Sequence, residues 1–72
     1  MSTEQLGFAV FCIENVAERL EKSGDYVYRL LTEDSDILDD YIIPNAGILH
    51  TQGKEYIVND IVEYMRQEGL IQ

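Results

Sequence analysis

The sequence predicts an all-α fold, a compact bundle of about four helices with long first and last members and two short middle ones. Three observations carry that expectation. Apolar residues recur at three- and four-residue intervals rather than alternating, which is the spacing of one helix face. Residues that start and stop helices stand at the ends of those patterned stretches. Breakers are few, with five Gly and one Pro in 72 residues, and this disfavours a turn-rich β architecture.

The first helix is expected from about Thr3 to Lys22. Ser2 followed three residues later by Gln5 reads as a capping box, and Glu4 suits the positive end of the helix dipole. At about 100° per residue, Leu6, Ala9, Val10, Ile13, Val16, Ala17 and Leu20 share one face, the expected core face. Phe8, Phe11 and Cys12 cluster opposite, so the N-terminal half of this helix is apolar nearly all round. Ser23 caps a second helix beginning near Asp25, with Val27, Leu30 and Leu31 inward and Tyr26 and Tyr28 at the margins. The polar stretch Thr32–Asp36 ends it, and Ser35 caps a short third helix that turns Ile37, Leu38, Tyr41 and Ile42 inward. Pro44 disfavours helical geometry at Ile43 and so stops or kinks this helix.

Asn45–Gly53 is expected to be a loop with a helical turn around Ile48 and Leu49. The last helix runs from about Gln52 to Glu68, with Thr51 as N-cap and Gly69 as the residue that closes it. Ile57, Val58, Ile61, Val62, Tyr64 and Met65 form its apolar arc, and Tyr56, Asn59, Glu63 and Arg66 face water. Leu70 and Ile71 are expected to fold back as a hydrophobic cap. Residues 1–72 read as a single helical domain without repeats, linkers or low-complexity segments.

Composition narrows the function classes. Fourteen Asp and Glu against five Lys and Arg give a formal net charge of −9. Phosphate binding draws on clustered Lys and Arg, and no such cluster exists, so a nucleic-acid partner is not expected. The plain reading of the charge is solubility; the functional one is an acidic face for a basic partner. Cys12 is the only cysteine, so no intramolecular disulfide is possible. The longest apolar run, Phe8 to Ile13, is far short of a membrane span, and no basic region precedes it as in a signal peptide. The expected location is cytoplasmic, without membrane association.

Three groups of residues merit a functional reading beside a structural one. Phe8, Phe11 and Cys12 are interface candidates if the first helix lies at an edge, and core residues if it lies at the centre. Exposure across a two-fold axis would point to a homodimer; burial would move the search to the acidic face. That face is led by Asp34, Asp36, Asp39 and Asp40, which would dock a basic surface or simply favour the start of the third helix. The spacing is not that of a calcium loop. His50, the only histidine, stands beside Thr51, and a metal site would need further ligands. Catalysis by His50 would need an acid such as Asp60 within hydrogen-bond reach in a shared pocket. No metal site, cofactor-binding motif or catalytic constellation is expected, and the chain does not read as an enzyme. A helix-turn-helix built from the second and third helices would set Asp36, Asp39 and Asp40 against phosphates, so it is thinkable only as a diverted regulatory module.

Two blocks suggest a family. Phe8-Ala9-Val10-Phe11-Cys12-Ile13-Glu14 and the more specific Leu49-His50-Thr51-Gln52-Gly53-Lys54-Glu55-Tyr56-Ile57-Val58-Asn59-Asp60-Ile61 resemble a group of short bacterial proteins catalogued as domain of unknown function number 3791. The resemblance covers nearly the whole chain and makes His50, Thr51, Gly53, Tyr56 and Asp60 the candidate family motif. The departure is Ile43-Pro44-Asn45-Ala46-Gly47, which interrupts what usually looks like a continuous helical stretch. The resemblance implies a compact helical fold in gut-type and related bacteria. It also implies a companion of other small genes, some resembling ADP-ribosyltransferases, and hence a neutralising or adaptor role. It brings no catalytic residues. The expected function is a protein–protein interaction or adaptor module acting on a protein partner or through self-association.

Overall fold

The computed structural model describes residues Met1–Gln72, all in helices, turns and short connections with no strand. Helix α1 spans Thr3–Leu20, α2 Gly24–Thr32, a π turn Leu38–Ile42, α3 Ala46–Leu49 and α4 Lys54–Gln67. The expected bundle with long first and last helices is what forms. The radius of gyration is 11.0 Å, close to the value of about 11 Å for a compact chain of this length.

Helix starts follow local side-chain chemistry. The Ser2 hydroxyl accepts from the Gln5 amide at 3.1 Å while the Gln5 side chain accepts from the Ser2 amide at 2.9 Å, completing the capping box. Ser23 caps α2 by accepting from the Tyr26 amide. At the end of α4, Gly69 adopts φ +77 and the Gly69 and Leu70 amides bond back to Arg66 and Met65, a Schellman closure. Leu70 and Ile71 then pack on the core.

Three expected boundaries change. Helix α1 ends before Lys22, because Glu21 takes the left-handed conformation at φ 57 and the Lys22 amide reaches back to Ala17. The third helix is a π turn, in which the Ile43 amide bonds to Leu38 five residues back. Ser35 does not cap it in the ordinary way. Its hydroxyl donates to the Leu30 carbonyl at 2.7 Å and accepts a longer 3.3 Å bond from the Ile37 amide, tying the α2 exit to the turn. Finally, Gly53 rather than Thr51 is the N-cap of α4. The Thr51 hydroxyl turns the other way and donates to Ile48 at 2.7 Å, finishing α3 instead.

The core gathers Ala9, Cys12, Val16 and Ala17 of α1, Val27, Leu30 and Leu31 of α2, Ile37, Leu38 and Ile42 around the π turn, and Ile57, Val58, Ile61, Val62 and Met65 of α4. No polar side chain is buried among them. The inner stripe of α4 matches the expected arc. That of α1 is rotated: Cys12 is fully buried, whereas Leu6 and Val10, expected in the core, are 55% and 44% exposed. The covered face is the one that Ala9, Cys12 and Val16 share, at three- and four-residue intervals. Along the flank Leu6–Val10–Ile13–Ala17, burial fades from Ala17 towards the N-terminus.

Candidate functional site

After the π turn and Pro44, the segment Ile43–His50 comes beside the N-terminal end of α1. Between them runs a groove of about 690 Å³, walled by Ser2, Glu4, Gln5, Gly7 and Phe8 on one side and by Ile43, Pro44, Ala46, Gly47 and His50 on the other. Asn45 steadies the turn by donating its side-chain amide to the Tyr41 carbonyl at 2.8 Å. Ala46 and Leu49 anchor α3 inward, while Ile48 is left 69% exposed.

The three interface candidates of α1 separate here. Phe8 and Phe11 are half-buried and stack at 6.1 Å between ring centroids, 20° apart in plane. Phe8 lines the groove; Phe11 does not. Cys12 offers no surface at all. Its burial pushes the thiol up to about 12, so it is protonated at neutral pH and inert as a nucleophile.

The family motif divides among several tasks. The His50 ring donates from Nδ1 to the Ala46 carbonyl at 2.9 Å, since a carbonyl oxygen only accepts, and this leaves Nε2 as the free ring nitrogen on the groove wall. Thr51 closes α3 and Gly53 opens α4. Tyr56 sits outward on α4, 56% exposed. Asp60 lies half-buried on the same helix and accepts a hydrogen bond from the Tyr41 hydroxyl. The Tyr41 ring also meets Tyr64 at 4.8 Å. That hydrogen bond to Asp60, with burial second, pushes the Tyr41 phenol up to about 12. The pairing of His50 with Asp60 that catalysis would require is not formed: His50 bonds to Ala46 and Asp60 to Tyr41. No three His, Cys, Asp or Glu side chains gather as metal ligands.

The acidic segment stays in solvent. Asp34, Asp36, Asp39 and Asp40 are all exposed, and none takes part in an ion pair. Arg29, the nearest cation in sequence, pairs with Asp25 at 3.4 Å. Asp34, Asp36 and Asp40 border a hollow of about 210 Å³, which Glu68 from the end of α4 makes still more acidic. Sequence reasoning did not foresee two other partnerships. Arg19 bridges α1 to α4 through Asn59 at 2.6 Å and Glu55 at 3.2 Å, and Tyr41 joins the π turn to Asp60. Only the pattern of outward polar positions on α4 hinted at the first. The groove was equally unforeseen, although a glycine inside a helical pattern at position 7 is the signal that marks it.

No helix is long and apolar enough to cross a membrane. The model of a family described as "Protein of unknown function (DUF3791)" matches residues 7–68, and the chain belongs to that family. No curated protein and no solved structure matches it.

Proposed function

We propose that this family member is a cytoplasmic protein-interaction module that acts by binding rather than by catalysis. Its role is that of an adaptor, or of a companion that neutralises a neighbouring toxin-like enzyme. The observation that carries the reading is the N-terminal half of α1, which leaves apolar surface uncovered on two sides. Leu6 and Val10 stand in solvent on one flank and Phe8 borders the open groove on the other. A solvated helix face would carry polar residues at those positions, as α4 does with Tyr56, Asn59, Glu63 and Arg66. The unpaired aspartates around the π turn support the same reading by favouring a basic partner. A diverted helix-turn-helix gains no comparable support: the segment that would enter a groove of DNA is a five-residue π turn bearing exposed Asp39 and Asp40.

The test is site-specific photo-cross-linking in the native host, with the cross-linker at position 6 or 10 and, as control, at position 56 or 63. A discrete protein adduct from 6 or 10 that is absent from 56 and 63 is expected. Equal labelling from both faces, or neither an adduct nor self-association, overturns the proposal.

A further inference from the structure

Gly7 lies inside α1 and Gly47 inside α3, and they line opposite walls of the groove. Glycine within a helix is unfavourable against alanine, because its backbone loses more freedom on folding. Two internal causes ordinarily retain one there: a left-handed φ, or a neighbour that a Cβ would strike. Neither operates. Both residues have negative φ, and a Cβ built on either would meet nothing within 4 Å. Gly69, by contrast, needs its φ of +77, and a Cβ on Gly24 would touch Ile13 at 3.8 Å. The two groove glycines thus expose backbone to a space that nothing in this chain fills.

The walls say what suits that space. Phe8, Ile43 and Pro44 are apolar, Glu4 is the only carboxylate, and no Lys or Arg lines the groove. The chain as a whole carries −9, so a second copy would be opposed by like charge and a cationic segment attracted. A peptide added as a β-strand would need a sheet edge to pair with, and this fold has no strand. Two helical walls with bare glycine backbone suit a helix, whose axis approaches more closely where facing side chains are small. We infer that the groove receives an amphipathic helix of a partner protein, with its apolar stripe on Phe8, Ile43 and Pro44, the Gly7 and Gly47 backbones in close contact, and its lysines or arginines towards Glu4 and the acidic surface. The inference rests on the interaction role above and gives it a site and a partner chemistry.

The experiment titrates the full 15N-labelled chain with two synthetic helical peptides that share one leucine and alanine stripe. One carries lysine at every remaining position and the other glutamate. The five glycine amides are the reporters, with Gly7 and Gly47 in the groove and Gly24, Gly53 and Gly69 outside it. The lysine peptide is expected to shift Gly7 and Gly47 selectively and to weaken with salt; the glutamate peptide should not bind. Gly7→Ala and Gly47→Ala should each raise the thermal unfolding midpoint yet weaken the lysine peptide at least tenfold. A merely structural role for these glycines would not give that combination.

Shifts centred on Gly69 and the Asp34–Asp40 segment would overturn the inference, as would equal binding of both peptides or unchanged affinity in both alanine variants. Concentration-dependent broadening at Gly7 and Gly47 without peptide would replace the partner helix with a second copy. If neither peptide binds while cross-linking from position 6 or 10 still captures a protein, the groove proposal falls and the interaction role stands. If both fail, both fall.

Discussion

The two halves of α1 are built from similar residues and meet different fates. In the C-terminal half, Val16 and Ala17 are buried, and Arg19 fastens the helix to Asn59 and Glu55 of α4. In the N-terminal half, Leu6 and Val10 lie on the same apolar flank as Ala17 and remain in water. Val10 and Val16 are chemically identical; six positions apart they point about 120° away from each other, and Val16 shares the face of Ala9 and Cys12 that the rest of the bundle covers. Hydrophobicity sets which residues can be core, and the face that the neighbouring elements cover sets which residues are.

The sharpest way to break that comparison is to place a charge at each valine. Val16→Asp should cost more than about 4 kcal/mol through an unpaired buried carboxylate, enough to unfold most of a domain this size. Val10→Asp should stay within roughly 0.5 kcal/mol of the parent, as surface substitutions do. Urea denaturation followed by circular dichroism reads both, and equal losses would mean that Val10 is core.

Tyr41 tests how the π turn is held against α4. Tyr41→Phe removes the bond to the Asp60 carboxylate and should cost about 1.5–3 kcal/mol, in the range for hydrogen bonds to charged groups. Because the folded phenol is raised from 10.0 to about 12, its contribution is complete below pH 10 and is lost as pH rises through 12. Stability measured across that alkaline window should therefore fall for the parent and flatten for Tyr41→Phe.

The two Schellman ends give a smaller contrast. Glu21 at φ 57 and Gly69 at φ 77 occupy the same kind of position with opposite suitability. Glu21→Gly should stabilise by about 0.5–1 kcal/mol, and Gly69→Ala should cost about 1 kcal/mol, both read from the urea midpoint. Smallest of all is Arg19→Ala. Its ion pair with Glu55 is exposed, so a loss of about 1 kcal/mol or less is expected, and it should shrink further in high salt.

Much of the fold was legible because it is written locally. Ser2 with Gln5, Ser23 and Gly69 each act on amides within a few residues of themselves, and the stripe Ile57–Met65 has one period and one neighbour set. What was not legible depends on distant lengths and angles. The facing of α1 required knowing on which side the other helices pack. Thr51 has an acceptor on one side and a helix start on the other, and its hydroxyl went to Ile48 rather than forward. The π turn was invisible because five-residue spacing leaves no separate apolar period. Of the candidate site residues, the exposed aspartates stand where their charge placed them. The groove is different: its two walls come from segments about 40 positions apart, brought together only in the fold.

That segment follows a turn with a single surplus residue. A π turn is an α-helical turn with one residue added, so the Leu38–Ile42 segment keeps a direction that regular winding would not give it. Deleting one residue there should restore ordinary winding and disturb the seating of Leu38 and Ile42 in the core, so the change would be read in stability as well as in the wall that Pro44 and Gly47 form. The groove wall thus begins at a turn whose own residues, Leu38 and Ile42, belong to the core, so the shape of the wall and the packing beneath it are tied together.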